Sequence, residues 1–157
     1  MVVVLFVLFA WFCIHVWISL PHKLPLAVNF LLFMAIEIML TNKLTVIGYD
    51  LQLFIMNQSI PHFLSLIIHN DLTVPFILLA FANTFLTTRN ARVRWGISVY
   101  AVVLQFATGY ALRWNDVITD NGWNFLCETL MIILLMAYTL LAGRILQIMA
   151  AKEGWMR

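Results

Sequence analysis

Charge is what this sequence has least of. Nine lysines and arginines and seven aspartates and glutamates are spread over 157 residues, 10% of the chain, for a net charge of +2. No basic run exists to track a phosphate backbone, so nucleic acid is not expected as a partner. Cysteine is nearly missing: Cys13 and Cys127 lie far apart, each inside an apolar stretch. With no C-x-x-C and no zinc spacing, no metal or other cofactor is expected, and the two thiols read as buried structural residues, not a disulfide. Six glycines and four prolines form neither a Walker A loop nor G-x-G-x-x-G. G-x-S-x-G, S-x-x-K and H-E-x-x-H are absent as well. Without a nucleophile–base pair or a metal cluster in view, the chain is not expected to be an enzyme. The N-terminus lacks the positive n-region of a secretory signal and reads as a retained first helix.

What fills the chain is apolar side chain: 64% of residues, with a mean hydropathy of +0.96. A soluble domain of this size has too little interior to hide that much. The apolar runs are continuous and not alternating, which argues against a barrel and leaves helices. At about 20 residues per span, five fit: residues 2–20, 26–47, 72–87, 95–112 and 123–150. The expected fold is an all-α polytopic helix bundle in one membrane domain, residues 1–157. Pro21 stops the first span and Pro25 opens the second. Asn70 or Asp71 is a candidate cap for the third and Asp120 for the fifth. The fifth is longer than a bilayer is thick and must tilt or protrude.

Residues 49–71 are as long as a span but too polar for one. Asp50, Gln52, Asn57, Gln58 and His62 interrupt the stretch and Pro61 breaks it. From Ile60 onward Gln58, His62, Ser65 and His69 share a helical face. That pattern predicts an amphipathic helix on the outer surface, with His62 and His69 towards water as a candidate pH-sensing pair. A crossing segment would instead give six spans. Lysine and arginine distribution places the Arg89, Arg92 and Arg94 turn in the cytoplasm with Lys23, Lys152 and Arg157. The N-terminus is then outside and the C-terminus cytoplasmic, in a cell membrane. Trp95 and Trp155 mark the inner interface, Trp114 and Trp123 the outer one.

Acids at membrane depth are expensive and need partners. Glu37, near the middle of 26–47, is the clearest case. Counting about 1.5 Å per residue puts Asn83 level with it and Gln105 and Glu128 within a turn or two. Arg113 sits at the mouth. Glu37, Asn83, Gln105, Glu128 and Arg113 therefore form the candidate intramembrane polar site. Glu37 is expected to hydrogen-bond Asn83 first, then Gln105. His15 is expected buried and bonded to a neighbouring carbonyl or hydroxyl. Ala107, Gly109 and Ala111 would let their helix approach another closely.

Several short features resemble a family of small multi-spanning membrane proteins of Bacillus-like spore formers: Thr41-Asn42 closing the second span, the amphipathic connection after it, Asn70-Asp71 leading to Pro75, and Arg113-Trp114-Asn115. The resemblance implies a plasma-membrane protein of a Gram-positive bacterium and carries no catalytic residue. The leading functional expectation is a non-enzymatic packing or accessory subunit. Its partners would be the lipid bilayer and a second membrane protein or another copy of the chain. The alternative is a small proton- or cation-coupled transporter or channel using the intramembrane carboxylates.

Overall fold

The computed structural model describes residues 1–21 and 23–152. Trp155 and Arg157, assigned above to the inner face, lie outside the described residues. Helix α1 spans Val2–Ile18 and ends before Pro21. Helix α2, Leu26–Lys43, starts on Pro25 and runs on into a wider π-helical segment, Leu44–Asp50. After strand β1 (Phe54–Met56), helix α3 (Ile60–Ile68) passes through a second π segment, His69–Thr73, into α4 (Val74–Thr87). Helix α5 is Ala91–Trp114, β2 is Ile118–Asp120, and α6 is Phe125–Lys152. Four continuous helices, Leu26–Asp50, Ile60–Thr87, Ala91–Trp114 and Phe125–Lys152, are long and apolar enough to cross a membrane, while α1 is apolar but shorter, at 17 residues.

The expected break at Asn70-Asp71 does not occur, and neither residue caps a helix there. The chain turns through them in the π segment and continues helical to Thr87. Pro75 supplies a physical reason for that segment. A proline inside a helix lacks an N–H and presses its ring on the carbonyl four residues back, here that of Asp71. Widening the preceding turn relieves the clash. The expected surface helix is thus the first part of a longer one, packed on α1. Ser65, Leu66, His69 and Asn70 are buried, so the expectation that His69 faces water is corrected. The caps also differ from expectation. Asn90 caps α5 through Arg92 N–H (3.0 Å), and Asn124, not Asp120, accepts from Cys127 N–H (2.9 Å) at the start of α6.

α4 is the central element. Val74 to Asn83 are buried almost without interruption. α2 contributes a stripe at every fourth residue, Val28, Leu32, Ile36 and Leu40, which meets Val74, Leu78, Leu79 and Ala82 of α4 and Leu135 and Ala150 of α6. Between helices in lipid the apolar effect gives little, so close packing and polar contacts decide association. Gly143 makes that packing close: a Cβ there would lie 2.8 Å from Leu86 Cδ1. Tyr138 of α6 donates to the carbonyl of Ala35 of α2 (3.2 Å).

β1 and β2 pair antiparallel, Phe54 with Asp120, Ile55 with Thr119 and Met56 with Ile118. Two connections distant in sequence therefore close one end of the bundle, above a cluster of Phe6, Phe54, Leu66, Leu112, Val117 and Ile118. At the other end Leu24 and Ala150 share a cluster, and Leu24 N–H reaches Asn83 (2.7 Å). That brings the Lys23 turn, Arg89 in the turn after α4, Arg92 and Arg94 at the start of α5, and Lys152 to the same end.

Candidate functional site

Glu37 does not find the partner expected for it. Its residue is half-buried, its Oε1 is out of reach of water, and that oxygen has no hydrogen-bond partner among the described residues. Asn83 is engaged elsewhere. Its Oδ1 accepts from Leu24 N–H, and its Nδ2 donates to Asn29 Oδ1 (2.7 Å) and to the Leu79 carbonyl (2.8 Å). Asn29 in turn donates to the Leu24 carbonyl (2.8 Å). Both asparagines are buried, so this is a satisfied polar lock tying the start of α2 to the end of α4.

The register explains the error in depth. The interval from Asn29 to Lys43 equals that from His69 to Asn83. Two antiparallel helices joined at Asn29–Asn83 therefore bring Lys43 level with His69, and those two residues line one cavity. Glu37 is then level with the first turn of α4, and Asn83 is about 12 Å away along the axis. Taking Leu72 as a helix start hid this, because the helix begins a dozen residues earlier.

The groups that do converge lie at the end capped by the strands. Gln105, Gly109 and Arg113 repeat every four residues on one face of α5. Arg113 Nε donates to both Asp120 oxygens (2.9 and 3.1 Å), Nη2 to Glu128 Oε2 (2.9 Å) and Nη1 to the Gly109 carbonyl (3.0 Å). Trp123 Nε1 donates to the same Glu128 oxygen (2.6 Å). Glu128 lies in the first turn of α6, where a carboxylate also meets the positive end of the helix dipole. Gly109 leaves room for the pair: a Cβ there would sit 3.4 Å from both Arg113 Nη1 and Glu128 Oε1. Of the small residues singled out in α5, this is the one that touches the site. Charge-assisted bonds of this type are short and directional, and they fasten α5, β2 and α6 together.

Beside the ion pairs is a cavity of about 60 Å³, lined by Lys43, His69, Asn70, Gln105, Arg113 and Glu128 with apolar residues between them. Both π segments reach it: Leu44 and Ile47 from the first, His69 and Asn70 from the second. Asn70 Nδ2 bonds Asp71 (2.9 Å) and Gln105 Nε2 bonds the Ala101 carbonyl (3.3 Å). His69 is 7% exposed, and its Nδ1 has no partner among the described residues. Lys43 is half-buried and belongs to no ion pair among them.

Of the five residues expected to converge, the structure brings together Arg113, Glu128 and Gln105. It leaves Glu37 and Asn83 outside. The histidines do not act alike: His62 bonds Ser59 Oγ and is half-buried, whereas His69 is in the cavity. His15 is exposed against the edge of Trp11, 4.3 Å between ring centres, and not buried as expected. Sequence reasoning missed Lys43, Asp120 and Trp123 as members of the site, and Asn29 as the partner of Asn83. Trp123 carried a signal that was read only as interface marking. Among the described residues no three His, Cys, Asp or Glu side chains come together as a metal site. No family model matches the chain, and neither a curated protein nor a solved structure is detectably similar to it.

Proposed function

We propose that the chain is a non-enzymatic integral membrane protein of the packing or accessory kind. In this reading five helices span a cell membrane, α1 crossing with the four longer ones, and the strand-capped end faces outward. The observation that carries it is the engagement of the acids. Glu128 accepts from Arg113 and Trp123 while Arg113 also holds Asp120. The cluster spends its charge on fastening two helices and a loop. The long apolar face of α6, with Leu126, Leu130, Ile133, Leu134, Leu141 and Ile145 exposed, suits lipid and a partner helix in the same plane. The resemblance to small membrane proteins of Bacillus-like spore formers belongs to the same reading. Affinity purification of the tagged full chain from native membranes tests it. A stoichiometric membrane protein, or a second copy of the chain, should co-purify and be lost on substituting α6 surface residues such as Leu134→Trp. A monomer with no companion in mild detergent would reject it.

A second reading, a proton- or cation-coupled carrier, draws on Glu37, whose buried oxygen has no partner. Its test is flux in liposomes: pH-dependent uptake that disappears in Glu37→Gln favours it.

A further inference from the structure

The basic end of the bundle carries cations with no acid to meet them. Arg89, Arg92 and Arg94 sit where α4 turns into α5, and none of them pairs with an Asp or Glu among the described residues. Arg89 and Arg92 are exposed, whereas Arg94 is half-buried and fixed on two sides. Its Nε donates to the Thr88 carbonyl (2.7 Å), and its guanidinium lies over the Phe85 ring, 5.0 Å from the ring centre. Both Nη groups are left without a partner among the described residues. The side chain lines a pocket of about 420 Å³ with Phe85, Ala91, Trp95 and Ser98. Ala91, Arg94, Trp95 and Ser98 recur at helical spacing on one face of α5, and Phe85 closes the wall from α4. The Ser98 hydroxyl is turned back to the Arg94 carbonyl (2.8 Å), so the wall is mostly apolar and aromatic around one free guanidinium edge. Trp95 is exposed, as a residue of an interfacial aromatic belt is.

We infer that this pocket binds an anionic glycerophospholipid of the surrounding membrane, with the phosphate on the Arg94 Nη groups and an acyl chain along Phe85 and Trp95. Two parallel Nη donors form the fork that phosphate oxygens accept. Thr88 and Phe85 hold that fork in place beforehand, which lowers the ordering cost of binding. The volume equals on the order of a dozen waters at about 30 Å³ each. A free inorganic anion fills little of it and gains nothing from an aromatic wall, so the occupant that fits is an amphiphile. The missing acids decide the headgroup. A zwitterionic lipid brings an ammonium towards three arginines, and no carboxylate among the described residues pairs with this group to receive it. A headgroup that ends in hydroxyls brings the phosphate charge alone. The inference rests on the reading of the chain as an integral membrane protein, and not on whether it is an accessory subunit or a carrier.

The test is native mass spectrometry of the full chain, released from detergent micelles containing equimolar dioleoyl phosphatidylglycerol and dioleoyl phosphatidylcholine. The phosphatidylglycerol adduct should exceed the other by on the order of tenfold, the contribution of one charge-assisted contact. Arg94→Lys keeps the charge of this end but loses the fork and the stacking on Phe85, so it should bring the ratio close to one. Ser98→Phe fills the pocket with every cation in place and should do the same. Arg92→Gln removes a charge outside the pocket and should leave most of the preference. Equal adducts on the wild-type chain would overturn the inference. A preference that survives both Arg94→Lys and Ser98→Phe, or falls as far in Arg92→Gln, would also overturn it, since that is general attraction between a basic end and acidic lipid. Displacement of the lipid by equimolar glycerol phosphate would overturn it by showing that the headgroup alone is held, and a second copy of the chain bound in place of lipid would do so by showing a protein interface. A chain that stays in solution without detergent would overturn the membrane reading and the site with it, an outcome distinct from all the others.

Discussion

Glu128 and Glu37 are chemically the same residue in opposite circumstances. Glu128 accepts two short bonds, from Arg113 and from Trp123 at 2.6 Å. Removing one partner of such a pair strands the other charge, a loss larger than the pair's net worth, and partial exposure to solvent reduces it. Glu128→Leu should therefore lower stability by roughly 2 kcal/mol, read as a fall in the thermal midpoint in nanodiscs. The double variant Arg113→Met with Glu128→Leu should recover part of that loss, giving a favourable coupling in a double-mutant cycle. Additive losses would mean that the two residues act independently. Glu37 has a buried oxygen and no bond among the described residues, so Glu37→Leu should leave the midpoint unchanged or raise it, since an unsatisfied polar group is removed without orphaning another. A clear loss of stability in Glu37→Leu would reveal a partner that its position does not display.

Among the elements, the helix Ile60–Thr87 is where reading and structure part. Its placement at the centre of the bundle was not legible, because the cues for a surface helix and for a buried helix carrying a polar site are the same residues. Ser65 and His69 look like part of a wet face in the sequence and are buried here. The strands were not legible either: three residues each, drawn from connections more than sixty positions apart, they have no local pattern strong enough to announce a pairing. The positions of α1, α2, α5 and α6 were legible to within a few residues at most ends, since long apolar runs bounded by Pro21, Pro25 and the arginine turn leave few choices. Arg113 and Glu128 were legible as polar residues near one end, but which partner each takes depends on helix rotation, which depth counting does not give. The strand pairing has a direct test. Ile55 and Thr119 are register partners, at a separation compatible with a disulfide. In a chain with Cys13 and Cys127 replaced by serine, Ile55→Cys with Thr119→Cys should cross-link under mild oxidation. Ile55→Cys with Asn115→Cys, which is not in register, should not. At the opposite end of the scale of contact, Gly143→Val should lower the midpoint, because its Cβ meets Leu86 at 2.8 Å, and Leu86→Ala should restore part of it by opening the same space.

At the scale of the whole molecule, one end is basic and the other is mixed. Lys23, Arg89, Arg92, Arg94 and Lys152 gather where Asn83 binds Leu24, while Asp50, Asp116, Asp120 and Glu128 lie at the strand-capped end with Lys43 and Arg113. Arg144, exposed on α6, extends the basic side: the apolar stretch from Phe125 to Gly143 is already about as long as a bilayer core requires. In the proposed orientation the last two turns of α6 reach beyond it, and the Arg144 side chain extends to the interface. A bilayer into which such a bundle inserts retains lysine and arginine on the cytoplasmic side, so the basic end should be inside and the strands outside. β1–β2 pairing makes this a sharp test, because residues from two distant connections must appear on one side together. In intact cells of a cysteine-free background, a membrane-impermeant thiol reagent should label Gln58→Cys and Asn121→Cys and spare Asn90→Cys, which should label only after permeabilisation. His69→Cys should resist the reagent in both conditions, because its position is enclosed. Labelling of Asn90→Cys in intact cells with protection of the other two would invert the orientation. Labelling of Gln58→Cys and Asn121→Cys on opposite sides would break the strand pairing itself and restore the six-span arrangement, in which the segment after Asp50 crosses the membrane alone.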